Sequence, residues 1–360
     1  MGVPEDLLCA ACFDRSGGRS ALRMFGVLLV VVLLSLGACE VPLLVSVPDN
    51  SPASIFDQTW RFVDQNYSFF ELKDIDWDDI RESFEQRIEA DMTERELFDV
   101  LSDMLYTLQD GHVNLSSPFD RSRNWSWYLD YEQNFDATLL QRSYYQGNEE
   151  YAGPFVLFDF GDVGYVRYSS FARAVTAEHL DYLFERFEDH DGIIFDVRDN
   201  GGGSSSGAYR IASRLVSERS VRGYEDFRNG PARSDFSASR SVAIRPPSEG
   251  RLWTEKPFVV LANRLSYSAT NLFVALVQGL DNVTVIGDAT GGGGGIPTFS
   301  ELSNGWLIRV SAHRFFKGSS GDGVNIEPGI DPDVPVGMDP DDIQQKRDTI
   351  IETALEYIRE

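Results

Sequence analysis

Ser268 lies in Asn263-Arg264-Leu265-Ser266-Tyr267-Ser268-Ala269-Thr270-Asn271, between two segments of different character. Before it, Pro257 to Leu261 has the length and β-branched content of a covered strand; after it, Leu272, Phe273, Leu276 and Leu280 recur at helical spacing. A hydroxyl at a helix start sits among N–H groups that no preceding turn satisfies, at the positive end of the helix dipole. That setting stabilises an oxyanion formed by attack on a carbonyl. Taken alone, the segment fits a serine that merely caps a helix better than it fits a nucleophile. To act as a nucleophile the hydroxyl needs a base, and the chain has four histidines, at 112, 179, 190 and 313. Two glycine runs, Gly201 to Gly203 and Gly291 to Gly295, permit close backbone approach. Neither is a nucleotide loop: Ser206 stands where the third glycine of a dinucleotide motif belongs, and the second run lacks the lysine of a phosphate loop.

Five segments occur in a telling order: Leu108 to His112, Phe195 to Gly203, Asn263 to Asn271, Val285 to Gly292, and Glu327-Pro328-Gly329-Ile330-Asp331-Pro332-Asp333. In kind and order they resemble the serine peptidase family that contains the C-terminal processing proteases and the tricorn core protease, over residues 55 to about 340. The resemblance implies a crotonase-like ββα superhelix and a serine endopeptidase without metal or cofactor. It implies Ser268 as nucleophile, Gly202 (with Gly201 as alternative) and Ala269 as oxyanion donors, and Glu327 as the supporting acid. In the tricorn-like branch an early histidine is the base, which points to His112; His179 and His190 belong to or flank a surface helix, and His313 lacks a family motif. The processing branch uses a lysine in a Thr-Phe-Gly-Lys type motif. Here Thr290 is followed by glycines only, and Lys317, the nearest downstream lysine, falls in a segment that reads as a loop. The pattern therefore favours Ser/His over Ser/Lys. Two positions depart from it: Gly111 replaces the serine through which the tricorn glutamate works, and Asn271 replaces a glutamate common three residues after the nucleophile. A histidine base predicts activity that fades on acidification around pH about 6 to 7, with Glu327 raising the midpoint. Rival readings are a non-catalytic peptide-binding lipoprotein of the same fold, favoured by Gly111 and Asn271, and a crotonase-like acyl-CoA enzyme, which requires a basic patch.

The elements that must position these residues are legible as an α/β pattern. Ile55 to Leu108 carries apolar stripes at three- and four-residue spacing, a small helical bundle, with Thr93 and Glu96 as a capping box. Beyond His112, strands (Val156 to Phe160, Val163 to Arg167, Gly192 to Val197, Val283 to Ile286) alternate with helices (Thr176 to Phe187, Ala208 to Val216), predicting a largely parallel or mixed sheet covered by helices. Asn304-Gly305 marks a hairpin before Trp306 to Ser311, and Asp339-Pro340 starts a terminal helix reaching about Tyr357. About 40 residues separate His112 from Phe155, too few for the PDZ domain that many processing proteases carry there. Their aromatics, Trp125, Trp127, Tyr128 and Tyr131, read as core cover.

With 42% hydrophobic and 25% charged residues, the 360-residue chain has the makings of a packed core. A formal charge of -25 argues against nucleic acid or anionic lipid as partner. Arg15, Arg19 and Arg23 precede the apolar run Phe25 to Leu36, as in an export signal, and Leu36-Gly37-Ala38-Cys39 resembles a bacterial lipobox. The expected organisation is a lipoprotein signal peptide (1–38), a tether (39–53) lipidated at Cys39, a helical domain (54–110) and a catalytic domain (111–360). Polypeptide is the expected partner, and the cell envelope the expected location. The remaining cysteines, Cys9 and Cys12, lie in the signal, so the mature chain has no cysteine nucleophile.

Overall fold

A computed structural model describes residues 49–123, 125, 131–318 and 323–360. The export run, Cys9, Cys12, Cys39, Trp127 and Tyr128 lie outside the described residues. Among the described residues no helix is long and apolar enough to cross a membrane.

The centre is a seven-stranded mixed sheet ordered β14-β9-β8-β5-β4-β3-β2. Its members are β2 (Glu150–Ala152), β3 (Phe155–Asp159), β4 (Val163–Arg167), β5 (Gly192–Asp196), β8 (Phe258–Ala262), β9 (Val283–Gly287) and β14 (Val334–Pro335). From β4 through β14 neighbours run parallel; β2 to β4 form an antiparallel meander. Alternation within strands explains why these segments read as unbroken apolar runs. Phe258 and Val260 of β8 enter one core, while Val259 and Leu261 enter another on the opposite face. The first face is covered by α4 (Ala177–Arg186), α5 (Ser205–Ala212) and α6 (Ala269–Val277), the second by α7 (Thr349–Arg359).

Two smaller sheets frame the site, ordered β1-β11-β10 and β13-β12-β6-β7. They comprise β1 (Asn114–Ser116), β10 (Pro297–Glu301) and β11 (Leu307–Ser311), then β6 (Ser220–Phe227), β7 (Arg240–Ile244), β12 (His313–Lys317) and β13 (Val324–Asn325). The N-terminal helices α1 (Pro52–Asn66), α2 (Trp77–Glu85) and α3 (Glu94–Tyr106) share a core with Leu115, Trp306, Ile308 and Val310. The Thr93 and Glu96 capping box opens α3 as its sequence predicts.

Two expectations are corrected. Lys317 lies in β12 rather than a loop, because His313 to Lys317 pairs in register with Gly223 to Phe227. The terminal helix is split into a five-residue helix, Pro340–Gln344, and α7, because Asp348 caps a new start by accepting from Ile350 and Ile351 N–H.

Candidate active site

Ser268 stands at the turn between β8 and α6 with φ 59° and ψ -118°, a region that costs a non-glycine residue about 1–3 kcal/mol. The turn is held from several sides. Asn200 O accepts from Tyr267 N (3.1 Å) and Thr270 Oγ1 (2.8 Å), and Ser268 N donates to Gly292 O (2.9 Å). Ser266 Oγ donates to Val197 O, and Asn263 bridges Asp199 and Asn134. Although Ser268 occupies the cap position, its side chain does not cap the helix. Its Oγ instead lies 2.8 Å from His112 Nε2. The contact links residues 156 positions apart in sequence.

His112 is buried, and Asp110 Oδ1 accepts its backbone N–H at 2.7 Å. Tyr267 packs beside the imidazole with ring centroids 5.1 Å apart. Burial pushes the imidazole down to about 4, against the opposing pull of the Asp110 carboxylate. The ring is therefore neutral at pH 7 and free to accept a proton. This corrects the expected midpoint of about 6 to 7, because desolvation outweighs the nearby negative charge.

Glu327 does not hydrogen-bond His112. Its Oε1 accepts from Lys73 Nζ (3.0 Å) and its Oε2 from Gly295 N–H (3.3 Å). Burial, then Asp110, raises the Glu327 carboxyl to about 7 while Lys73 opposes them. The sequence assigns no role to Lys73 or Asp110; nothing in the local pattern of Lys73, four residues before the start of α2, marks it as close to residue 327.

The two departures have packing explanations. A side chain at Gly111 would bring Cβ within 2.8 Å of Tyr267 Oη, so the tyrosine fills the space of the missing serine. Asn271 donates to Ile326 O (2.8 Å) and accepts from Thr290 Oγ1 (2.6 Å), which in turn accepts from Ile330 N–H. These bonds tie α6 to the segment that carries Glu327.

Gly202, at φ 91°, packs against Ser268: an added Cβ would lie 2.6 Å from Tyr267 O and 2.8 Å from Ser268 Cβ. Its N–H is held by Asn200 Oδ1 at 3.0 Å. Ala269 opens α6, where N–H groups lack intrahelical acceptors, and Gly203 rather than Gly202 lines the cleft. That cleft, about 100 Å³, is bounded by His112, Ser268, Ala269, Leu272 and the loop Gly293 to Pro297. Gly202→Ala is expected to displace Ser268, lowering hydrolytic activity by about tenfold or more; kcat of the folded variant measures it.

The other candidates lie elsewhere. Lys317 Nζ bonds Gln278 Oε1, His313 stacks on Phe227, His190 faces Asp159, and His179 accepts the Thr176 N–H within a helix cap. No group of three or more His, Cys, Asp or Glu among the described residues is arranged to hold a metal.

A serine at a strand-to-helix turn within hydrogen-bond distance of a buried histidine, with a neighbouring glycine run, is an arrangement that suits acyl transfer. The peptidase family S41 model matches residues 162–336, and the tricorn protease C1 domain model matches residues 48–106. A crystal structure assigned as a peptidase, from Parabacteroides merdae, is 43% identical with a TM-score of 0.80, covering 86% of this chain and 97% of that one. The carboxyl-terminal-processing protease of Synechocystis is 32% identical over 154 residues, 42% of this chain and 33% of that protein. Tricorn protease homolog 1 of Streptomyces coelicolor is 30% identical over 168 residues, 46% of this chain and 14% of that protein. The chain thus spans a third or less of the length of these two curated relatives. It belongs to peptidase family S41, a family of serine-type peptidases.

Proposed function

We propose that this chain is a serine endopeptidase acting on polypeptide through Ser268 and His112. The carrying observation is the 2.8 Å contact from Ser268 Oγ to a buried, neutral imidazole, made from a backbone conformation that serine rarely adopts. In this reading Ser268 Oγ attacks the scissile carbonyl and His112 Nε2 takes the hydroxyl proton. The nitrogen then returns that proton to the departing amine, and water hydrolyses the acyl ester with the same base. Ala269 N–H faces the developing oxyanion, with the second donor drawn from the Gly202–Gly203 segment once Asn200 releases or reorients it. Glu327 acts at one remove, through the Gly295 N–H and Lys73. We read the central sheet with its helices as a crotonase-like core. Gly111 and Asn271 each have packing or hydrogen-bond partners, which supports reading them as structural adjustments within a peptidase site.

An active-serine fluorophosphonate is expected to modify Ser268, and folded Ser268→Ala protein to lose both labelling and hydrolysis of an unfolded polypeptide. Undiminished hydrolysis by that variant would remove Ser268 as the nucleophile. For location, we infer an envelope peptidase lipidated at Cys39, on the strength of the lipobox-like Leu36-Gly37-Ala38-Cys39. Mass spectrometry of the native mature N-terminus is expected to find a lipid-modified Cys39; an unmodified terminus elsewhere sinks the anchor.

A further inference from the structure

Lys73 lies in the connection between α1 and α2, far in sequence from every residue assigned above. Its ammonium nonetheless gathers three acceptors: Gln109 O at 2.9 Å, Leu108 O at 3.3 Å and Glu327 Oε1 at 3.0 Å. An ammonium has three protons to donate, enough for these three acceptors. The side chain is 19% exposed and its partner carboxylate 3%, which makes this a largely desolvated pair. The rings of Tyr67 and Phe69 flank the cation, with centroids 5.9 and 5.8 Å away.

The acceptors lead to two different walls of the site. Leu108 and Gln109 directly precede Asp110, whose carboxylate fixes the His112 backbone, and Gln109 has φ 43°, so this segment is tightly bent. Glu327 holds the Gly295 N–H with its other oxygen, and Gly295 lines the cleft facing Ser268. A single cation from the helical region therefore sets the spacing between the segment carrying the base and the glycine loop opposite. Lys73 does not line the cleft.

We propose that Lys73 is a positioning residue of the active site, holding the His112 segment and the Glu327-anchored glycine loop in the one arrangement that brings His112 Nε2 to Ser268 Oγ. The proposal rests on the Ser268/His112 reading. A lysine suits the task because three separate acceptors converge on a point, which the planar fork of arginine does not match.

The test must separate positioning from charge neutralisation. Removing one member of a buried pair leaves the other uncompensated and destabilises the fold, whereas removing both is close to neutral. The variants are Lys73→Met, Glu327→Gln and the double replacement, each followed by thermal unfolding and by the rate of fluorophosphonate labelling at Ser268. Lys73→Met is expected to label at least tenfold more slowly than wild type, and to lower kcat more than it raises KM. The double variant is expected to regain most of the lost thermal stability yet to label several-fold more slowly than Glu327→Gln alone, since the Leu108 and Gln109 carbonyls stay untethered. If Lys73→Met does not fold, the comparison of the double variant with Glu327→Gln decides alone. Folded Lys73→Met that labels at the wild-type rate, or a double variant that labels as fast as Glu327→Gln, overturns the proposal. Wild-type protein that never labels at Ser268 instead overturns the peptidase reading on which it rests.

Discussion

Folded His112→Ala protein is expected to hydrolyse polypeptide on the order of 10⁴-fold more slowly than wild type, while Lys317→Ala leaves the rate nearly unchanged. The size of the first effect follows from the 2.8 Å contact: without an acceptor at Nε2, the Ser268 hydroxyl must shed its proton to solvent. The second follows from Lys317 being committed to Gln278. The pH profile sharpens the test. A protonated imidazole cannot accept the serine proton, so activity is lost as pH falls through the folded-state value, and burial sets that value at about 4. The acidic limb of kcat/KM should accordingly lie near pH 4. The same depression makes the fold less stable as pH falls from about 6.5 to 4, because the unfolded chain binds a proton that the folded chain refuses. Parallel unfolding measurements distinguish the two losses. A limb near 6.5 in stable protein would mean that burial does not depress the imidazole, whereas full activity in His112→Ala alongside an inactive Lys317→Ala rejects the assignment of the base.

Arg198→Met should be the most destabilising single change away from the site, by about 3–5 kcal/mol in urea unfolding, and could abolish folding. Arg198 is fully buried and joins Asp196 (Nη2 to Oδ2, 2.6 Å) to Asp348 (Nη1 to Oδ2, 3.0 Å), both carboxylates equally hidden. Arg198 and Arg167 hold the Asp196 carboxyl below its usual range despite burial. That part of the stability is present above the unfolded carboxylate value of about 4 and is lost as pH falls through the lower folded value. Removing the guanidinium leaves two buried negative charges facing each other. The damage extends to chemistry, because Asp196 ends the strand that leads to Asn200 and Asp348 caps α7. Loss below about 1 kcal/mol would mean that the cluster adds little to the fold.

Legibility in the sequence tracked how locally each feature is encoded. The strands β5, β8 and β9 and the helix α6 announced themselves because strands covered on both faces must be apolar throughout, as Phe258 to Leu261 are. Ser268 and His112 were readable through ordered motifs, although nothing local brings together residues 156 positions apart. The strands β6, β7 and β12 were missed: Arg222, Glu225, Arg240 and Arg314 interrupt their apolar residues, and the pairing of β12 with β6 is long-range. Asp110 sat inside a quoted motif without a role, since an aspartate that binds the next-but-one N–H looks like any turn residue. Lys73 left no trace at all, because the acceptors that place it at the site come from segments 35 to 254 residues away. The depressed imidazole was likewise invisible, for it depends on how completely the fold dries His112.

Residue 111 and Tyr267 share one volume beside the imidazole. A Cβ at 111 would meet the tyrosine hydroxyl at 2.8 Å, and the tyrosine ring also fills the space beside Gly293, where a Cβ would approach within 2.3 Å. Placing the serine of the tricorn pattern at 111 therefore asks the Tyr267 hydroxyl to move aside, and shrinking Tyr267 leaves a hole against the imidazole. The side chain beside Ser268 and residue 111 are thus coupled in size, and a double replacement at the two positions is expected to perturb the fold less than the sum of the single ones.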